Sequence, residues 1–223
     1  MQDISRTALF DLSHTLAAPL FESCDEPWGA LPKLKEFILS LCETLDTEVY
    51  HQLSPNVWVA KTATIAPTAV ITAPAIIGEN TEIRHCAYLR GATLIGDDCV
   101  VGNSCELKNC ILFDAVQVPH FNYVGDSILG YRSHMGAGAV TSNVKSDHSA
   151  VTLHNEGVKI ETGMKKLGAL VGDFVEIGCN SVLNPGTIIG KHSRVYPLTP
   201  VRGTIPGDSI VKSADTIVPI KKS

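Results

Sequence analysis

The sequence predicts an all-β fold, a parallel solenoid of short strands, and three observations predict it. From Val59 every sixth residue is large and apolar: Val59, Ile65, Ile71, Ile77, Ile83, Leu89, Ile95, Val101, Leu107 and Phe113. With 44% of the chain apolar, ten such positions in a chosen frame arise by chance about three times in ten thousand. Four residues after each comes a mostly small side chain, Ala63, Ala69, Ala75, Thr81, Ala87, Thr93, Cys99 and Cys105, loosening at Ile111 and Gln117. Finally, no Asn-Gly or Asp-Gly pair separates the units, so they are not successive hairpins. A six-residue unit is one short strand plus a turn. Three units close a triangular coil, and stacked coils bury a continuous aliphatic column.

The frame returns at Leu129 and Met135 and runs again through Val171, Ile177, Leu183, Ile189, Val195 and Val201. Residues 53–223 are therefore expected to form the solenoid. Residues 1–52 lack the repeat and are expected to form a short helical segment. In KLKEFILSLCETL (33–45) the apolar residues Leu34, Phe37, Ile38, Leu41 and Leu45 recur at helical spacing, and ISRTALFDLSHTLAAPLF suggests an earlier short helix. Residues 141–166 are polar and too long to connect two coils, so a projecting loop is expected there. A third interruption, QVPHFNYVGD (117–126), presents Pro119, His120, Asn122 and Tyr123 in the middle of the repeat.

Composition excludes several function classes. The net charge is -5 with no basic stripe, which argues against a nucleic-acid partner. No apolar run approaches the roughly 20 residues needed to span a bilayer. Seven cysteines without a CxxC pair, and no leader-like N-terminus, point to free thiols in a reducing cytoplasm. Cys99 and Cys105 fall at small corner positions and read as compact apolar fillers. LFDLSHTLA approaches a phosphotransfer DxDxT motif, but Ser13 stands where the second aspartate belongs and no βα scaffold follows.

His120, stiffened by Pro119, is either a general base or a hydrogen-bonding loop cap, and the residues leave both open. Arg90 and Lys108 each follow an inward position and lie 18 residues apart, one coil, so they should stack on one face. Two stacked cations without charged sequence partners suit a phosphate.

The stretches LRGATLIGDDCVVGNSCELKNCIL and VPHFNYVGDSILGYRSHMGAGAVTSN resemble the acetyltransferase domain of bifunctional glucosamine-1-phosphate N-acetyltransferase/UDP-N-acetylglucosamine pyrophosphorylase. GMKKLGALVGDFVEIGCNSVLNPGTIIG is similar to archaeal sugar-phosphate nucleotidylyltransferases that carry the same acetyltransferase tail. The resemblance covers about residues 57–205. It implies a left-handed parallel β-helix and an N-acetyltransferase that uses acetyl-CoA, without a metal, to acetylate an amino-sugar phosphate such as glucosamine-1-phosphate. His120 is implied as the general base, and Arg90 and Lys108 as the phosphate ligands. Tyr123, His134 and Asn143 fall on the acceptor side, and Ala137, Cys179 and Lys166 on the acetyl-CoA side. A cytoplasmic homotrimer is implied, with acetyl-CoA between adjacent solenoids and the 141–166 loop reaching a neighbour.

His134, Val144 and Cys179 depart from the family's asparagine, tyrosine and serine. The fifty residues before the repeat cannot hold a Rossmann-like nucleotide domain, so pyrophosphorylase activity is not expected. Two other readings share the fold. One is a non-catalytic trimeric scaffold or ligand-binding relative. The other is a γ-carbonic anhydrase-like metalloprotein holding zinc through His85, His120 and His134, whose spacing does not fit that family.

Overall fold

The computed structural model describes residues 2–221. From Val57 the chain winds into a left-handed parallel β-helix whose coils pair in register along three faces. Each face contributes one inward column. On the first face Val59, Ile77, Ile95, Leu112, Leu129, Val171, Ile189 and Ile205 succeed one another. On the second, Ile65, Ile83, Val101 and Val118 are followed by Met135, Ile177, Val195 and Val211. On the third, Ile71, Leu89, Leu107 and Val124 lead to Thr141, Leu183 and Val201.

The hexad frame slips at Phe113. Ala75 pairs with Thr93, a step of 18, whereas Thr93 pairs with Cys110 and Cys110 with Ser127, steps of 17. Leu112, not Phe113, therefore occupies the inward column. The missing residue comes from the corner before the first face. One coil turns there through Gly91 and Ala92 (φ 67° and 46°). In the next two, the strands Glu106–Leu112 and Tyr123–Leu129 run through it with only Asn109 and Asp126 left-handed (φ 48° and 47°). The same slip explains why the small positions loosened at Ile111 and Gln117, since Cys110 and Val116 hold those places. Phe113, displaced past the column, packs against Phe10 and Phe21 with ring centroids 5.1 and 5.7 Å away.

Those two rings belong to the N-terminal segment, which comprises α1 (Arg6–Leu9), α2 (Ala18–Glu22) and α3 (Ala30–Cys42) with 3-10 turns between them. α3 starts and ends three residues before the expected 33–45. Its buried stripe, Leu31, Leu34, Ile38 and Cys42, lies on the outer surface of the first face, against the strands that carry Ile76, Leu94 and Ile111. These strands are apolar on both sides because both sides are covered. Asp11 is a capping residue: its carboxylate accepts the backbone N–H (3.0 Å) and hydroxyl (2.7 Å) of Ser13.

Antiparallel hairpins close both ends, Tyr50–Ser54 with Val57–Ala60 and Ser209–Ser213 with Thr216–Pro219. They give the terminal strands partners that further coils would otherwise supply. The sheet thus opens at Tyr50, a few residues before the expected boundary.

The 141–166 segment does not project. It forms a hairpin, Thr152–Asn155 with Val158–Glu161, turning at Glu156 and Gly157 (φ 48° and 84°), and folds back onto its own solenoid. Alternation in VTLHN puts Val151 and Leu153 on one side, and both are fully buried. The Thr204 hydroxyl donates to the His154 carbonyl (2.9 Å), and Asn155 Nδ2 donates to the Gln2 carbonyl (2.8 Å). Burial of two aliphatic side chains outweighs the freedom of an arm left in solvent.

Replacing Phe113→Ala should cost about 3–5 kcal/mol, read as a lowered urea midpoint together with faster limited proteolysis within residues 1–45.

Candidate functional site

His120 ends the strand Gln117–His120 on an exposed corner. Two buried features build that corner. Pro119 lies directly over Gly102, where a Cβ would sit 1.5 Å from the proline carbonyl oxygen, so only glycine fits. Asn122, 2% exposed, clamps the turn. Its Oδ1 accepts the His120 N–H (3.1 Å), and its Nδ2 donates to the carbonyls of Gly136 (2.8 Å) and Ala139 (3.0 Å) one coil on. Its own N–H donates to Cys105 Sγ (3.3 Å), one coil back. Phe121, in the left-handed conformation (φ 53°), is pushed outward and is 63% exposed. Among the described residues the His120 ring has no partner.

Backbone hydrogen bonds at this corner form a ladder: Phe121 N–H to the Asn103 carbonyl (2.9 Å), Gly138 to His120 (3.0 Å), Asn180 to Ala137 (2.9 Å), Leu198 to Cys179 (2.9 Å). His120, Ala137 and Cys179 thus stack on successive coils along one edge. Cys179 opens onto a shallow cavity of about 320 Å³ that it shares with His134, Gly136, Gly178 and Tyr196. His134 Nδ1 lies 2.8 Å from Glu176 Oε2, a contact that leaves its Nε2 unengaged.

The third face begins beyond Phe121. Pairing of Leu89 with Leu107 sets Arg90 beside Lys108, as their spacing predicts. The expectation that these cations lack charged partners is wrong. Arg90 Nη1 meets Glu106 Oε1 at 3.0 Å, and Lys108 Nζ meets both oxygens of Asp126 at 3.1 and 3.3 Å. The carboxylates stand 16 and 18 residues later, on the next coil, outside the reach of local sequence reading.

Asp126 is the hub. Its side chain is 5% exposed. Asn109 Nδ2 donates to it (2.8 Å), as does Asn143 Nδ2, which also reaches the Tyr123 hydroxyl (3.3 Å). The Tyr123 ring covers Gly125, where a Cβ would lie 2.4 Å from Oη. Burial, and then the Asp126 carboxylate, push the phenol pKa up, keeping it a neutral donor and acceptor. Asn122 and Asp126 were missed as site residues. The coil spacing from Lys108 to Asp126 was the available signal.

Lys166 is exposed at the root of the arm, which is closed by Leu167 N–H donating to the Asn143 carbonyl (3.0 Å). His85 lies on the same edge as His120, two coils earlier, with Nδ1 3.1 Å from the Thr68 hydroxyl. No group of three or more His, Cys, Asp or Glu that could hold a metal ion occurs among the described residues.

Burial pushes the thiol pKa values of Cys99, Cys105 and Cys110 up, while Cys86 and Cys179 are exposed. A thiol-specific chromogenic reagent should therefore modify Cys86 and Cys179 in the native protein, and all seven cysteines only after unfolding. Asn122→Ala should cost roughly 2–4 kcal/mol by orphaning two buried carbonyls, measured by urea unfolding.

The GMPPB C-terminal domain family matches residues 90–166. The bifunctional protein GlmU of Methanococcus maripaludis strain C5 is 31% identical over 198 residues, 88% of this chain and 48% of that protein. GlmU of Methanococcus vannielii is 37% identical over 136 residues, 61% of this chain and 32% of its own length. A bifunctional sugar-1-phosphate nucleotidylyltransferase/acetyltransferase of Sulfurisphaera tokodaii is 35% identical over 111 residues, 50% of this chain and 28% of its length. The chain thus spans less than half of these relatives. Among solved structures, PerB of Caulobacter crescentus in complex with CoA and GDP-perosamine has 17% identity and a TM-score of 0.41, covering 67% of this chain and 53% of that one. That overlap is too loose to match side chains. Over their β-helix region, this chain is a homologue of GlmU and of the archaeal bifunctional sugar nucleotidylyltransferase/acetyltransferases.

Proposed function

We propose that this chain is an acetyl-CoA-dependent N-acetyltransferase whose acceptor is a phosphorylated amino sugar of the glucosamine-1-phosphate kind. The observation that supports it best is the edge on which His120, Ala137 and Cys179 stack, next to the face that carries Tyr123, Lys108 and Arg90. In this reading a base, a backbone site for the acetyl group and a groove wall would lie in one line.

In this reading the sugar amine attacks the thioester carbonyl directly. The amine must shed a proton as the tetrahedral intermediate forms, and the unpartnered imidazole of His120 accepts it. Backbone N–H groups at Ala137 steady the oxyanion, and the thiolate of CoA leaves. Ala137, Cys179 and Lys166 belong to the acetyl-CoA side; His134, Asn143 and Tyr123 orient the sugar. Arg90 and Lys108 hold the phosphate. The Arg90–Glu106 pair is exposed, and such pairs are worth about 0–1 kcal/mol, so a phosphate dianion displaces Glu106 at little cost. Lys108 keeps Asp126 as its anchor and offers its remaining donors. A homotrimer in the cytoplasm, with acetyl-CoA between neighbouring solenoids, completes the proposal.

One observation favours a ligand-binding relative without turnover: both proposed phosphate ligands are already neutralised within the chain. Thiol release from acetyl-CoA against a panel of amino sugars and their 1-phosphates separates the readings. Expected is turnover on an amino-sugar 1-phosphate that falls about 10²- to 10⁴-fold in His120→Ala, with Lys108→Met raising KM for the phosphorylated acceptor. Absence of turnover on every acceptor by folded protein would remove the transferase reading.

A further inference from the structure

The hairpin arm covers a second hollow, away from the His120 edge. A cavity of about 260 Å³ is walled on one side by the arm, through Lys145, His154 and Lys159, and on the other by Gly186, Arg202 and Gly203 of the solenoid. His154 and Lys159 face each other in register on the two arm strands. An adjoining hollow of about 270 Å³ shares Lys145 and Arg202 with the first. Four basic side chains thus converge from three separate stretches of a chain whose net charge is -5, so their gathering does not reflect general basicity.

We propose that these paired hollows form an anion site for the diphosphate group of a nucleoside or sugar diphosphate. Two carboxylates temper the charge: Glu161 lies 2.7 Å from Lys159, and Asp147 3.6 Å from Lys145. Arg202 stands on the wall common to both hollows and has no partner among the described residues. Its planar fork suits a phosphate bidentately, while Lys145 and Lys159 supply point charges on either side. Two connected hollows, rather than one, match two linked phosphates. No Phe, Tyr or Trp side chain lines either hollow, so recognition rests chiefly on the diphosphate.

Two glycines let the arm close so tightly. A Cβ on Gly186 (φ 78°) would come within 2.9 Å of both Val151 Cγ1 and Leu153 Cδ2, and one on Gly203 (φ 72°) within 3.4 Å of the His154 carbonyl. The cavity is therefore framed by close contacts between these two glycines and the arm.

Calorimetric titration of the full chain with inorganic pyrophosphate, and separately with UDP, tests the site. Expected is one saturable event per chain with each probe, weakened by added salt and weakened about tenfold or more in Arg202→Ala and in Lys159→Ala. Arg202 is exposed and its side chain has no hydrogen bond or ion pair among the described residues, so an unchanged melting curve for Arg202→Ala is expected to accompany the loss. His120→Ala should bind both probes like the parent protein, which keeps this result independent of the transferase reading. Binding that survives both substitutions overturns the proposal, as does absence of saturable binding by the parent protein. Binding of pyrophosphate without UDP overturns the assignment to a diphosphate ester.

Discussion

The constraint on which everything else rests is parallel registry. Each coil must bring its three corners back over those of the coil before, because the backbone groups of one coil are the hydrogen-bond partners of the next. Residue counts per coil are accordingly fixed at 18 or 17 through the first four coils. Anything longer must leave the wall and return to where it left. The arm obeys this: Leu167 bonds back to Asn143, and the coil resumes in register, with Leu129 against Val171. A side chain's address in this fold is therefore a column and a coil. Residues far apart in the sequence, such as His120 and Cys179, become near neighbours because they share a column.

The His120 corner uses that constraint against a local cost. A bulky residue at positive φ is unfavourable, and Phe121 adopts it because the turn must occur at that place in the register. Asn122 underwrites the arrangement from within. An amide with two donors and an acceptor satisfies three backbone groups on two coils at once, in a position where most coils place a hydroxyl or a small apolar side chain. The result is a rigid peptide carrying a histidine whose ring is committed to nothing, which is what a proton acceptor for an incoming substrate requires.

Much of this was legible in the sequence. The inward columns, the helix stripe on Leu34 and Ile38, and the coil neighbours Arg90 and Lys108 all follow from strict periods of 6, 3.6 and 18. What was hidden involved changes of period or partners one coil away. Phe113 sits in the hexad frame by arithmetic yet serves the N-terminal aromatic cluster, because the corner before it lost a residue. Glu106 and Asp126 neutralise the cations from positions one coil on, which a reading of sequence neighbours does not make adjacent. The arm was recognised as an insertion, but its polarity masked the two aliphatic residues, Val151 and Leu153, that seat it. The first face held a clue that periodicity alone undervalues: Ile76–Ile77, Leu94–Ile95 and Ile111–Leu112 are apolar doublets, the mark of a strand covered on both sides.

The shortened coils also reshape the solenoid as a solid body. Dropping one residue removes about 3.3 Å from the perimeter of a coil. The loss falls on two consecutive coils, between Thr93 and Cys110 and between Cys110 and Ser127, while steps of 18 precede them from Ala75 and resume from Ala169 to Thr187. The prism is therefore drawn in at the waist. The narrowed coils are those that carry Lys108, His120 and Tyr123, and the lost residue falls at the corner just after Lys108 and Tyr123, so the cation and the phenol stand beside the drawn-in edge while His120 stands on another.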